Sequence, residues 1–235
     1  MSARAAFASG VREALGVPAA VLAAGFLGFG ALAGAGGASI WLTMVSILTI
    51  WALPGQLVLL EMWQIGAPMI AVVLAVMLIN ARFLPMAMTL MPVLRDRGHP
   101  PWRYYLATQL ISMTSWAVCM RRCPDMPGPE RLVYLTGFGG ACIAVCIVTA
   151  AVGYLIAGAI PPTIQLGLVF LSPLYFFVIL IGEVQNRLTA VALACGALAG
   201  PLCHLITPQW GVLVAGVGGG TAAFLIHKFL QRNHA

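Results

Sequence analysis

The chain has 235 residues, of which 61% are hydrophobic and only 8% are Asp, Glu, Lys or Arg. A soluble domain carries about a quarter charged residues, so this chain has too little polar surface for a water-facing body. Disordered chains are poor in apolar residues and rich in charge, so disorder is excluded as well. The mean hydropathy of +0.99 therefore indicates an integral membrane protein in a lipid bilayer.

Long stretches without charged residues predict helices that cross the membrane. Three of these stretches cover residues 14–60, 132–182 and 188–227. At about 1.5 Å per residue each would be roughly 60–75 Å long, twice the hydrocarbon thickness of about 30 Å, so each crosses twice. With residues 67–93 and 103–120 added, we expect an all-α, polytopic protein of about 7–8 transmembrane segments, forming a single membrane domain over residues 1–235. The predicted segments are 14–34, 38–60, 67–93, 103–120, 132–160, 163–182, 188–206 and 209–230.

The positive charges predict the orientation, because short cytoplasmic loops are enriched in Lys and Arg. With Arg4 and Arg12 inside, the N-terminus is cytoplasmic and the outer turns carry no positive charge. Arg95, Arg97 and Arg103 would then face outward, so either one of the first three segments is re-entrant or the fourth does not cross fully. The net charge of +6 is spread over short loops without one basic face, so no nucleic-acid partner is expected.

Three prolines interrupt predicted segments and indicate discontinuous helices. Pro54 and Gly55 lie in the second segment, Pro85 in the third, and Pro173 follows Ser172 in the sixth. Proline removes a backbone donor and clashes with the preceding turn. Non-helical backbone at membrane depth is tolerated where it lines a watery cavity, as in transporters. If the breaks line a cavity, the Ser172 hydroxyl is a further contact for a solute. The alternative is that the prolines make kinks that only improve helix packing.

Arg82 lies near the middle of the third segment, where a charge is costly without compensation. The predicted segments contain no acid near enough to neutralise it, and its expected neighbours are neutral: Asn80, Gln56, Thr114 and Ser115. A fixed cation without a protein counter-ion is suited to a carboxylate group of a solute. The alternative is an arginine that extends to the membrane interface or bonds carbonyl groups at the nearby break.

Other readings of the polar residues have less support. His204, Glu61 and Glu183 are the candidates for an enzyme, but no pair has catalytic or metal-ligand spacing, so no catalytic residue, metal or cofactor is expected. The GxxxG repeats at residues 30–34, 196–200 and 216–220 predict close helix packing.

Several stretches together resemble a known family. They are the opening residues 7–18 (FASGVREALGVP), the glycine-rich residues 26–30, Gln56 in the second segment, and residues 80–83 (NARF). In this order and spacing the chain resembles the AzlC family, the large subunits of bacterial branched-chain amino-acid exporters, which includes the YgaZ-type proteins. The resemblance implies a transporter in the cytoplasmic membrane, rather than an enzyme, that exports branched-chain or other hydrophobic amino acids with a small AzlD-type membrane subunit.

The chain departs from the family pattern at acidic positions. Met113 and Thr114 stand where the resemblance leads us to expect Asp and Glu, and Val169 precedes Phe170 where Asp is expected. These losses question proton coupling and recognition of the ammonium group of an amino acid. Two alternatives therefore stay open: transport of another small carboxylate-bearing solute, and a non-transporting subunit that scaffolds a partner.

Overall fold

The computed structural model describes residues 2–96, 98–159, 161–182, 194–198, 202 and 218–221. The chain divides into two compact units, Met1–Phe176 and Phe177–Ala235. The predicted segments 188–206 and 209–230, with the glycine repeats at 196–200 and 216–220, lie for the most part outside the described residues. The single domain over residues 1–235 stays a prediction.

Ten α-helices follow one another in the described residues up to Gly182. They are α1 (Ala3–Ala14), α2 (Val17–Ala35), α3 (Ile40–Thr49), α4 (Leu53–Gln64), α5 (Met69–Asn80), α6 (Phe83–Leu94), α7 (Pro101–Thr108), α8 (Met113–Arg122), α9 (Gly128–Leu155) and α10 (Pro162–Gly182). Of these, α2 and α9 are long and apolar enough to cross a membrane, and α5 with α6 makes a third span if the bent pair is counted as one. The helical membrane class is therefore confirmed, whereas the count of 7–8 segments stays a prediction.

Close helix packing centres on α9, which lies against both α1 and α2. A side chain at Gly10 would collide with a backbone carbonyl of α9, and one at Gly137 with a carbonyl of α1. Likewise, a side chain at Gly30 would collide with a backbone carbonyl of α9, and one at Gly153 with a backbone carbonyl of α2. Gly34 also touches the backbone at the end of α9, so the repeat at residues 30–34 packs helices together as predicted.

Two predicted segments are interrupted close to their prolines. The segment predicted at 38–60 is α3 followed by α4, with a break at residues 50–52 where Trp51 has a positive φ of 48°. Pro54 is in the first turn of α4, where its missing N–H costs nothing. The segment predicted at 67–93 is α5 followed by α6, bent by 48°. This break falls at residues 81–82, three residues before Pro85.

Two other expectations about continuity are wrong. Residues 103–120, predicted as a single helix, form parts of two short helices, α7 and α8, separated by residues 109–112. Ser112 caps the N-terminus of α8 through a capping box with Ser115. Conversely, α10 is helical without interruption through Ser172 and Pro173, where a break was expected. A proline removes one hydrogen bond from a helix, and apolar surroundings favour keeping the others.

Candidate functional site

The three helix breaks meet at one cavity beside α2. Its walls are residues 51–54 at the start of α4, residues 82–83 at the start of α6 and residues 112–114 at the start of α8, with Leu22 and Phe26 of α2. The cavity volume is about 40 Å³, far below the roughly 300 Å³ at which ligand pockets begin. The structure therefore shows this cavity in a closed form, with space for water but not for an amino acid.

The electrostatic character of the cavity is positive. The N-termini of α4, α6 and α8 all contribute to its wall, and a helix N-terminus carries about half a positive charge. Arg82 adds a full positive charge. The described residues that line the cavity include no Asp or Glu, so nothing in this lining offsets these charges.

Arg82 is the N-cap residue of α6 and is exposed, which places it at the mouth of the cavity. Its guanidinium carbon lies 5.4 Å from the centroid of the Phe83 ring, a cation–π contact. Within the described residues Arg82 forms neither an ion pair nor a hydrogen bond, so its five N–H donors remain available to a ligand.

Two amide side chains connect the three breaks by hydrogen bonds. Asn80, at the end of α5, donates from Nδ2 to the carbonyl oxygen of Ile50 over 3.5 Å. Gln109, at the end of α7, donates from Nε2 to the carbonyl oxygens of Leu48 and Thr49 over 2.7 and 3.3 Å. The last carbonyls of a helix have no partner within it, so these amides satisfy the broken end of α3. Asn80 therefore stabilises the break between α3 and α4. Gln109 is a functional candidate that the sequence analysis missed.

The hydroxyl groups predicted beside Arg82 differ in their roles. Thr114 lines the cavity, is only 1% exposed, and its Oγ1 has no hydrogen-bond partner. The hydroxyl of Ser115 instead donates to the carbonyl oxygen of Leu110 over 2.9 Å and accepts from the backbone N–H of Ser112 over 2.8 Å. Ser115 is thus committed to holding the start of α8. The side chain of Ser172 lies outside the described part of the structure.

Gln56 is not brought together with Arg82. It is fully buried on α4, and neither its Oε1 nor its Nε2 has a partner. It lines a second, smaller cavity between α2, α3 and α4, together with Thr43 and Ser46. In this structure Pro54 of α4 lines the cavity of Arg82, whereas Gln56 lines the second cavity, so a solute site shared by Gln56 and Arg82 stays a prediction.

Trp51 is a second residue that the sequence analysis missed. Its ring stacks on Phe26 with centroids 6.4 Å apart, it is 5% exposed, and its Nε1 has no hydrogen-bond partner. A positive φ in a bulky residue is uncommon and occurs preferentially at functional sites. The signal available in the sequence was its position, three residues before Pro54 within an apolar segment.

Comparison with known proteins places this region in a family. Residues 18–160 match the family model described as AzlC protein, and the match contains all three helix breaks and the cavity. Searches among curated proteins and among solved structures found no match to this chain. Because the family model covers more than half of the sequence and includes the whole candidate site, the protein belongs to the AzlC family.

Proposed function

We propose that this protein is a secondary membrane transporter that exports small apolar carboxylate-bearing solutes, branched-chain amino acids being the first class to test. The AzlC family is associated with branched-chain amino-acid transport and is a family of transporters rather than enzymes. The observation that carries the proposal is the convergence of three helix breaks and Arg82 on one cavity. Discontinuous helices whose N-termini face an anionic group are a recurring way to build a transport site.

A carboxylate at the mouth of the cavity would bind Arg82 through two parallel hydrogen bonds. The N-termini of α4, α6 and α8 would stabilise the same charge. Leu22, Phe26 and Met113 line the remainder of the cavity and suit an apolar side chain. The closed volume requires the breaks to open before a solute enters, and short unwound segments between helices can absorb such a change in backbone angles.

The remaining parts of the proposal concern energy, partner and location. The sequence contains no nucleotide-binding motif, so an ion or solute gradient would drive transport. A small AzlD-type membrane subunit would assemble with the chain in the bacterial cytoplasmic membrane, with the N-terminus inside. A non-transporting scaffold is the competing function, and it predicts no flux under any gradient.

The test is amino-acid efflux from cells loaded with dipeptides, with all amino acids measured by mass spectrometry. Cells that express the chain, with and without a candidate small partner, are compared with cells that express Arg82→Gln. Loss of a charged hydrogen-bond donor costs a factor of roughly 10–100 in binding, so we expect efflux at low solute concentration to fall by that factor. Arg82→Lys keeps the charge but loses the planar fork, and an intermediate rate is expected.

The matched control is Arg121→Gln, the same substitution at an exposed arginine in the last turn of α8, away from the cavity. This variant should transport as the parent does. If Arg82→Gln also matches the parent, the proposed site is wrong. If no solute leaves faster than from cells without the protein, under any imposed gradient, the scaffold function replaces the transporter.

A further inference from the structure

The polar groups in the cavity select one class of carboxylate, an inference that rests on the proposed transport function. We infer that the protein binds apolar α-keto acids, such as α-ketoisocaproate, better than the corresponding α-amino acids, such as leucine. Both compounds carry the same branched side chain and the same carboxylate. They differ only in the group beside the carboxylate, which is a keto oxygen that accepts hydrogen bonds or an ammonium that donates three.

The uncommitted side-chain groups that line the cavity are predominantly donors. The buried Oδ1 of Asn80 is an acceptor without a partner, but Asn80 does not belong to this lining. Arg82 offers only N–H groups, and the indole Nε1–H of Trp51 can donate but not accept. Trp51 Nε1 and Thr114 Oγ1 are both buried without a partner, at 5% and 1% residue exposure. Of these three groups, only the Thr114 hydroxyl can accept a hydrogen bond.

The other groups in the described lining are neutral, so they supply no negative charge for an ammonium. Ser112 accepts from the backbone N–H of Ser115 over 3.2 Å and donates to its Oγ over 3.3 Å, so the helix cap uses its proton and one of its two lone pairs. Part of each helix N-terminus is already used: Pro54 has no N–H, and the N–H groups of Leu84 and Ser115 are bonded to Ala81 and Ser112. The first N–H groups that remain, at residues 53, 83, 113 and 114, add donors and no acceptor. The aromatic rings, which could otherwise hold an ammonium by a cation–π contact, are also partly covered: Arg82 lies over Phe83, and Phe26 stacks on Trp51.

An ammonium group in this cavity would place a positive charge beside Arg82 and three helix N-termini, with no carboxylate in the described lining to offset it. A keto oxygen at the same position would instead accept from Trp51 or Thr114 and satisfy a buried donor. A buried donor or charge without a partner weakens binding by roughly 10–100-fold. The apparent Kd of α-ketoisocaproate should therefore be lower than that of leucine by about this factor.

The test uses the full-length chain, with and without a candidate small partner, in sealed proteoliposomes at neutral pH, with three probes of the same branched skeleton. Uptake of labelled α-ketoisocaproate and of labelled leucine is measured as a function of concentration, and isoamylamine, which has the ammonium without the carboxylate, is added as a competitor. We expect α-ketoisocaproate to have the lower KM by about 10–100-fold, and isoamylamine to compete with neither solute. Empty liposomes report passive permeation of each compound.

Two variants separate the hydrogen-bond argument from general damage to the site. Trp51→Phe keeps an aromatic ring beside Phe26 and removes one donor, so it should raise the KM for α-ketoisocaproate about 5–10-fold and narrow its advantage over leucine by a similar factor. Thr114→Asp adds an acceptor and a negative charge, so it should shift the preference toward leucine.

The outcomes distinguish this inference from the proposed function. Leucine transported as well as or better than α-ketoisocaproate overturns the preference for keto acids while the transport function stands. Competition by isoamylamine also overturns it, because the cavity would then recognise the ammonium. Transport of neither compound, with Arg82→Gln equal to the parent, refutes the transport function itself.

Discussion

Gln109 offers the sharpest test of how the three breaks are held together. Gln109→Met keeps the length of the side chain but removes the Nε2 donor, so the carbonyl oxygens of Leu48 and Thr49 lose their partner. Gln109, Leu48 and Thr49 are exposed on the surface of the described chain. Lipid at that surface supplies no replacement donor, so we expect the unsatisfied carbonyls to cost about 1–3 kcal/mol. For a chain of 235 residues this corresponds to a decrease of about 2–12 °C in Tm.

The assay is thermal unfolding of purified protein in lipid nanodiscs, with solute flux measured on the same preparations. Gln64→Met is the matched control, because Gln64 is an exposed glutamine at the end of α4, distant from the three breaks in sequence. We expect Gln109→Met to lower the Tm and to raise the KM for the solute, while the control changes neither. An unchanged Tm and KM for Gln109→Met would refute the idea that this amide ties the breaks together.

Three further predictions concern packing and buried polar groups, each measured as the Tm in nanodiscs. Gly30→Ala should destabilise the fold by about 1–3 kcal/mol because its methyl group would meet the backbone of α9. Gly140→Ala, where the added methyl group has open space, should be neutral or stabilising. Equal effects of the two substitutions would contradict the close packing of α2 on α9. Gln56→Met removes a buried amide without partners and should stabilise by about 1–3 kcal/mol, and a marked loss of solute affinity in this variant would restore Gln56 to the solute site. Tyr134→Phe loses the 2.7 Å hydrogen bond from Oη to Oε2 of Glu13 and should cost about 1.5–3 kcal/mol; no change would mean that water replaces the hydroxyl.

The long apolar helices were accessible from the sequence because their signals are local. Charge-free runs and flanking polar residues located α2 and α9 to within a few residues, and α10 begins within one residue of its predicted start. The spacing of the glycines at positions 30 and 34 likewise indicated a packed helix face, which the contacts with α9 confirm. Composition and spacing are sufficient here, since lipid requires a continuous run of apolar residues whatever the helix packs against.

The breaks were less accessible because they depend on contacts between segments distant in the sequence. Proline identified the neighbourhoods of two breaks but not their positions, and the break between α7 and α8 contains no proline. At this break the Ser115 hydroxyl accepts from the N–H of Ser112 and donates to the carbonyl oxygen of Leu110, and the side chain of Gln109 bonds a carbonyl oxygen of α3. Pro173 shows the reverse case, a proline within a continuous helix. Sequence spacing also does not show which side of α4 carries Gln56, so it cannot separate the cavity of Arg82 from the cavity of Gln56.

The hydrogen bonds between the breaks have a consequence for movement. Asn80 and Gln109 come from different breaks, yet both bond the carbonyl end of α3, at Ile50 and at Leu48 with Thr49. Movement at any one break can separate these amides from the carbonyl oxygens at the end of α3. Those carbonyl oxygens then lose their hydrogen-bond donors. This loss is unfavourable in lipid but is offset if water enters the cavity at the same time. The three breaks are therefore expected to open together and with hydration, which is the coupled change that a closed cavity of about 40 Å³ needs before a solute can enter.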